Sequence, residues 1–219
     1  MRPAAAALLV VSGIHLGAQL VEPDSVVAAV TQVLLMPALA GLLVSAVRST
    51  RPRLVRLTLV ALGFSWLGDT LPRLASGDAA FLLMLGGFLL AQLTYALAFL
   101  PWWRASIVRR RPILLLPYAA GLARVVAASH ARAGSLLVPL VCYALALGTM
   151  AVLATGLGWV AGLGGALFVL SDALIALRSF AETALPAHGF WVMLTYLTGQ
   201  TLLVEAVIRV QRARSPWRR

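Results

Sequence analysis

Of 219 residues, 61% are hydrophobic and 11% are charged, and the mean hydropathy is +0.94. A soluble domain needs about 25% charged residues to solvate its surface, so this composition excludes a water-soluble or secreted domain and makes lipid the main solvent. The formal net charge of +11 comes from 18 basic residues, all arginine, gathered mainly at the ends of apolar runs. That pattern fits membrane topology and contact with membrane lipids, whereas nucleic acid as a partner needs a basic face on a folded surface.

Eight apolar runs follow in chain order: Ala4–Leu20, Val26–Val47, Leu54–Leu71, Ala79–Leu100, Ile113–Ala128, Ser135–Thr155, Trp159–Leu177 and Gly189–Ile208. Irregular backbone cannot face lipid, so each run is read as a membrane helix. Eight spans of about 20 residues use nearly all of the length. The expectation is an all-α membrane protein, a single bundle of eight transmembrane helices over residues 1–219. The first run follows an arginine like a signal peptide, but more spans follow it and it is kept as the first helix.

Turn and charge signals separate the runs: Glu22-Pro23-Asp24, Arg51-Pro52-Arg53, Ser76-Gly77-Asp78, Arg109 to Pro112, Ala133-Gly134 and Thr155-Gly156. The fifth run is the weakest, being short and containing Pro117, Gly121 and Arg124. One set of alternate loops collects Arg2, Arg48, Arg51, Arg53, Arg56, Arg104, Arg109, Arg110, Arg111, Arg209, Arg212, Arg214, Arg218 and Arg219. The other holds Arg73, Arg124, Arg132 and Arg178. The excess predicts both termini in the cytoplasm. The absence of Lys and Asn points to a GC-rich genome, hence a multi-pass protein of a bacterial cytoplasmic membrane. The lone Cys142 excludes an internal disulfide and reads as a small buried apolar residue.

Ionisable groups inside a span cost about 2.5–3.5 kcal/mol each and mark sites. Asp69, Asp172 and Glu205 fall inside runs; Glu22, Asp24, Asp78 and Glu182 fall in loops. Asp69 and Asp172 lie roughly 22 and 20 Å along spans that enter from the same side. At matched depth they can face each other, and two such carboxyls share a proton, supplying an acid and a base. The alternative is structural pairing: Asp69 with Arg73 at i,i+4, and Asp172 with Arg124 or with Ser and Tyr hydroxyls. Glu205 is expected to pair with Arg209. Polar residues accompany the acids: Ser65 one turn before Asp69, Gln92 and Tyr95 in the fourth run, Tyr143 in the sixth, Ser171 beside Asp172, and Tyr196 and Gln200 in the eighth. Each alone reads as an interfacial tyrosine or an interhelical amide; together they predict a polar pocket inside the bundle. Gly86-Gly87, Gly148 and Gly162 to Gly165 read as close helix packing.

Other chemistries lack their signatures. His15, His130 and His188 show no zinc-ligand spacing, and His130 reads as a loop residue. No G-x-S-x-G elbow occurs. No cofactor and no metal is expected. Two membrane aspartates also suit an intramembrane aspartyl protease, but the G-x-G-D motif is incomplete at Trp66-Leu67-Gly68-Asp69.

Phe64-Ser65-Trp66-Leu67-Gly68-Asp69, Ala91 to Phe99, Gly165-Ala166-Leu167-Phe168-Val169-Leu170-Ser171-Asp172 and Tyr196-Leu197-Thr198-Gly199-Gln200 resemble, in order and spacing, the YhhN family of lysoplasmalogenases. The resemblance covers the third to eighth helices. It implies eight membrane helices and hydrolysis of the vinyl ether bond of a lysophospholipid substrate, a lysoplasmalogen, to a fatty aldehyde and a glycerophospho-alcohol. It makes Asp69 and Asp172 the acid and base, with Ser65, Gln92, Tyr95, Tyr143, Ser171, Tyr196 and Gln200 positioning water, headgroup or glycerol. The chain departs from the family pattern at Gln92, often His, and at Gly199, often Ala. A proton- or cation-coupled transporter or a lipid-binding membrane protein is the rival reading of the same acids, and predicts flux or binding without covalent change.

Overall fold

The computed structural model describes residues 3–47 and 52–214. All regular structure among them is helical, and eight long helices carry it: α1 (Pro3–Val21), α2 (Val26–Ala46), α3 (Arg53–Thr70), α4 (Gly77–Phe99), α5 (Leu115–Ala133), α6 (Leu137–Ala154), α7 (Trp159–Ala181) and α8 (His188–Arg214). Each lies in a stretch long and apolar enough to cross a bilayer. They reproduce the eight apolar runs and differ at the ends. Asp78 lies in the first turn of α4, not in a loop, where a carboxylate faces the unbonded N–H groups of the helix start. His130 lies in the last turn of α5, not in a loop. The link between α4 and α5 is itself built of short helical turns over Leu100–Ala105, Ile107–Arg110 and Pro112–Leu114.

The molecule is apolar on both sides of its surface. Leu35, Leu39, Leu43, Phe99, Phe168 and Leu203 are fully buried, while Leu9, Val26, Leu116, Val138 and Leu145 stand well exposed. Such exposed aliphatic side chains on consecutive helices require lipid around them. Cys142 is among the exposed residues, so the expected buried role is corrected: it lies on the outer face of α6. Several threonine hydroxyls inside the spans are spent on their own helix, as in Thr58 to the Leu54 carbonyl at 2.8 Å and Thr94 to the Leu90 carbonyl at 2.7 Å.

Helix α8 is the most enclosed element and packs against α1, α2, α3 and α7. Small residues set its approach. A Cβ on Gly164 would stand 2.9 Å from the Gly199 carbonyl oxygen, and one on Gly199 would stand 2.8 Å from that of Gly164. The same device joins α3 to α4, where a Cβ on Gly87 would lie 2.5 Å from the Gly68 nitrogen. Gly165 meets Ala151 of α6, and Gly148 meets Leu122 of α5. Gly86 meets nothing within 4 Å, so of the Gly86-Gly87 pair only Gly87 acts in packing. Helices α1 and α5 lie at the periphery, with little of either buried.

Arginines collect at one end of the bundle, with Arg53 and Arg56 opening α3, Arg104 and Arg109 to Arg111 linking α4 to α5, and Arg209, Arg212 and Arg214 closing α8. Arg73, Arg132 and Arg178 lie at the opposite end, and Arg124 stands halfway along α5, within the fifth apolar run. Arg2, Arg48, Arg51, Arg218 and Arg219 fall outside the described residues. Glu205 pairs with Arg209 at 2.8 Å as the spacing predicts.

Candidate active site

Asp69 sits in the last turn of α3, immediately after the glycine that lets α4 approach. It is buried, 7% exposed. Neighbouring helices satisfy both of its oxygens: the Gln32 amide of α2 donates to Oδ1 at 3.3 Å and the Tyr196 hydroxyl of α8 donates to Oδ2 at 2.9 Å. The Tyr196 ring is wedged edge-on between Phe88, 5.7 Å away, and Phe168, 5.3 Å away. That packing aims the phenol at the carboxyl.

The alternative reading, an Asp69–Arg73 ion pair, is not observed among the described residues. Helix α3 ends at Thr70 and the chain tightens into a 3₁₀ turn over Leu71–Leu74, so the helical i,i+4 spacing is lost. Instead Arg73 Nη2 donates to Gln32 Oε1 at 2.7 Å, and Gln32 bridges to Asp69. Gln32 is the residue that sequence reasoning missed. A lone amide in an otherwise apolar second span was the available signal.

Asp172, on α7, accepts a short hydrogen bond from the Tyr143 hydroxyl of α6. Its other oxygen accepts none from the described residues. Pairing with Arg124 is not observed: among the described residues the ion pairs within 4 Å are Arg132–Glu182 and Arg209–Glu205.

Two cavities meet at Asp172. One, of about 340 Å³, is lined by both aspartates together with Gln32, Arg73, Ser171, Tyr196, Met84 and Phe88. The other, of about 450 Å³, runs between α4, α5, α6 and α7 and is walled by Phe81, Leu85, Leu122, Leu147 and Val169, with Tyr143 and Arg124 as polar members. Met84, Phe88, Asp172 and Ile175 belong to both walls. Two transmembrane carboxyls thus line one chamber, and one of them also borders an apolar chamber.

The other expected site residues divide. Ser171 lines the smaller cavity but spends its hydroxyl on the Val192 carbonyl at 3.1 Å. Ser65, Tyr95 and Gln200 line neither cavity. They form a closed chain one turn deeper, in which Tyr95 donates to Gln200 at 2.7 Å and Gln200 donates to Ser65 at 2.9 Å. This chain ties α3, α4 and α8 together beneath Asp69. Gln92 is fully buried and lines neither cavity. Its amide lies toward the Tyr143 hydroxyl, yet neither its nitrogen nor its oxygen makes a hydrogen bond of ordinary geometry.

With aspartates on α3 and α7 and an aromatic frame from α4, α7 and α8, the comparison with known sequences is direct. The pattern of the YhhN family matches residues 27–207. The chain belongs to the YhhN family. No curated protein and no solved structure gives a match. The YhhN match starts within α2 and ends within α8, so it takes in every residue of the smaller cavity and leaves α1 outside. It also gives the motif glycines a physical role: Gly68 and Gly199 are the points at which α3 meets α4 and α8 meets α7.

Proposed function

We propose that this YhhN protein hydrolyses the vinyl ether bond of single-chain ether phospholipids, releasing a fatty aldehyde and a glycerophospho-alcohol. The observation that carries the reading is the position of Asp172. It borders both a larger apolar chamber fit for one hydrocarbon tail and a smaller chamber that holds a second carboxyl together with Gln32, Arg73 and Tyr196. A lipid lying across that border puts its tail on one side and its glycerol on the other, with the bond between them at the carboxyls.

A vinyl ether is cleaved by protonating its outer carbon, the one on the tail side. Asp172, on the tail side, donates that proton, and an oxocarbenium ion forms at the inner carbon. Asp69, on the glycerol side, stabilises the cation and takes a proton from the attacking water. The hemiacetal then collapses to aldehyde and alcohol, its hydroxyl proton passing to the departing glycerol oxygen, and the proton that Asp69 took from water returns to Asp172 to restore the pair. Tyr196 and Gln32 hold Asp69 by two hydrogen bonds, and Tyr143 holds Asp172 by one. Positioned acids and bases of this kind each contribute about 10²–10⁴ in rate.

The test is aldehyde release from lysoplasmenylethanolamine by the purified protein in detergent. The wild type is expected to release aldehyde, and Asp69→Asn and Asp172→Asn to lose about 10²–10⁴ of the rate. Proton-coupled flux in vesicles with no aldehyde would replace this reading with transport.

A further inference from the structure

We propose that Arg73 is the anion anchor of this site and binds the phosphodiester of the lipid whose tail fills the apolar chamber. The proposal rests on the lysolipid reading and adds to it the group that recognises the headgroup. Arg73 is the cation lining the cavity that holds both aspartates. It stands on the 3₁₀ turn that follows α3, at the end of the span, where phospholipid phosphates reside. Pro72 in the same turn restricts the backbone that presents it.

Arg73 makes no direct ion pair within 4 Å among the described residues. Asp69 is reached through Gln32, and neither ion pair found in the described residues involves Arg73. One N–H goes to Gln32 at 2.7 Å. The rest of the fork is left for a planar or tetrahedral anion, which guanidinium binds through paired N–H donors.

The order of groups along the cavities supports the same occupant. Asp172 is the carboxyl that borders the apolar chamber, and in the smaller cavity a hydrogen-bonded series runs from Asp69 through Gln32 to Arg73. Along an ether lysolipid the order is tail, vinyl ether, glycerol, phosphate. Gln32 touches both Arg73 and Asp69, so phosphate seated on Arg73 steadies the amide that holds the carboxyl. Arg124 is the rival cation. It lines the tail chamber halfway along α5, a chamber that Asp69 does not line.

The experiment compares two uncleavable ligands of equal chain length on the full chain in lipid nanodiscs: a saturated 1-O-alkyl lysophosphoethanolamine and the corresponding 1-O-alkylglycerol. The wild type is expected to bind the phospholipid about tenfold or more tighter, the scale of a charge-assisted hydrogen bond. Arg73→Gln should erase that preference while alkylglycerol affinity stays, and Arg73→Lys should retain part of it. Equal weakening of both ligands by Arg73→Gln would mean a structural role and overturn the proposal. So would loss of the preference in Arg124→Gln with Arg73→Gln unchanged. Inorganic phosphate is expected not to displace the phospholipid at millimolar concentration; efficient displacement would make the site one for free phosphate. Because the ligands are uncleavable, the anchor stands or falls apart from the reaction. A protein that shows the Arg73-dependent preference but releases no aldehyde overturns the hydrolase reading alone.

Discussion

The two aspartates carry the same side chain in unlike settings. Asp69 is closed in: two helices donate to its two oxygens, and a chain of Ser65, Gln200 and Tyr95 braces the turn beneath it. Asp172 is held at one oxygen by Tyr143 and borders two cavities. A carboxyl with both oxygens occupied is fixed in place and suited to steady a cation and a water. One with a free oxygen at a chamber border is suited to pass a proton to something that slides past it. The difference between the acids therefore reads as a division of labour along one lipid.

The sharpest way to break that comparison is to remove both partners. If the carboxyls act as a unit, Asp69→Asn/Asp172→Asn loses no more rate than the worse single variant, because groups that act together are strongly non-additive. Multiplying losses in single-turnover aldehyde release would mean two independent sites. The next largest effect is on the frame. Gly87→Ala drives a Cβ into the Gly68 backbone, beside Asp69, and should cost about 1–3 kcal/mol by overpacking. Gly86→Ala, with nothing within 4 Å, should be near neutral; thermal unfolding in detergent compares them.

Smaller again is the contrast between the two phenols. Tyr143→Phe takes away the hydrogen bond that Asp172 receives, and kcat should fall roughly tenfold, in line with about 1.5 kcal/mol for a bond to a charged group. Tyr196→Phe leaves Asp69 with Gln32 and should cost less. The reverse order in steady-state kinetics would invert the assignment of the tightly held acid. Smallest is Glu205→Ala. Its pair with Arg209 is partly exposed at the far end of α8, so stability should move by about 0–1 kcal/mol and aldehyde release should not change.

Most of the fold was legible because lipid enforces one rule: an apolar run must close its own backbone hydrogen bonds. The pairs of arginines, glycines and prolines that interrupt the runs mark the ends of the helices to within a few residues. The aspartates were legible for the complementary reason, since a carboxyl in a span needs company. What escaped was long-range pairing. Gln32 and Asp69 are 37 positions apart and Tyr95 and Gln200 are 105 apart, and no local periodicity joins them. The Asp69–Arg73 spacing misled because the helix ends between the two residues. Cys142 misled because burial in lipid and burial in protein leave the same apolar trace in sequence, although in the fold it faces outward. Gln92 is placed at the heart of the bundle, its amide toward the Tyr143 hydroxyl but outside ordinary hydrogen-bond geometry.

Labelled product analysis tests the proposed course of the reaction, protonation of the outer vinyl carbon followed by water attack on the inner one, most directly. Run in deuterium oxide, the wild type should yield aldehyde with one deuterium on the carbon next to the carbonyl, delivered to the tail side. Run in heavy-oxygen water, it should leave the glycerol oxygen of the other product unlabelled, because water attacks the inner vinyl carbon. Aldehyde without deuterium at that carbon, or heavy oxygen in the glycerol product, would contradict the account.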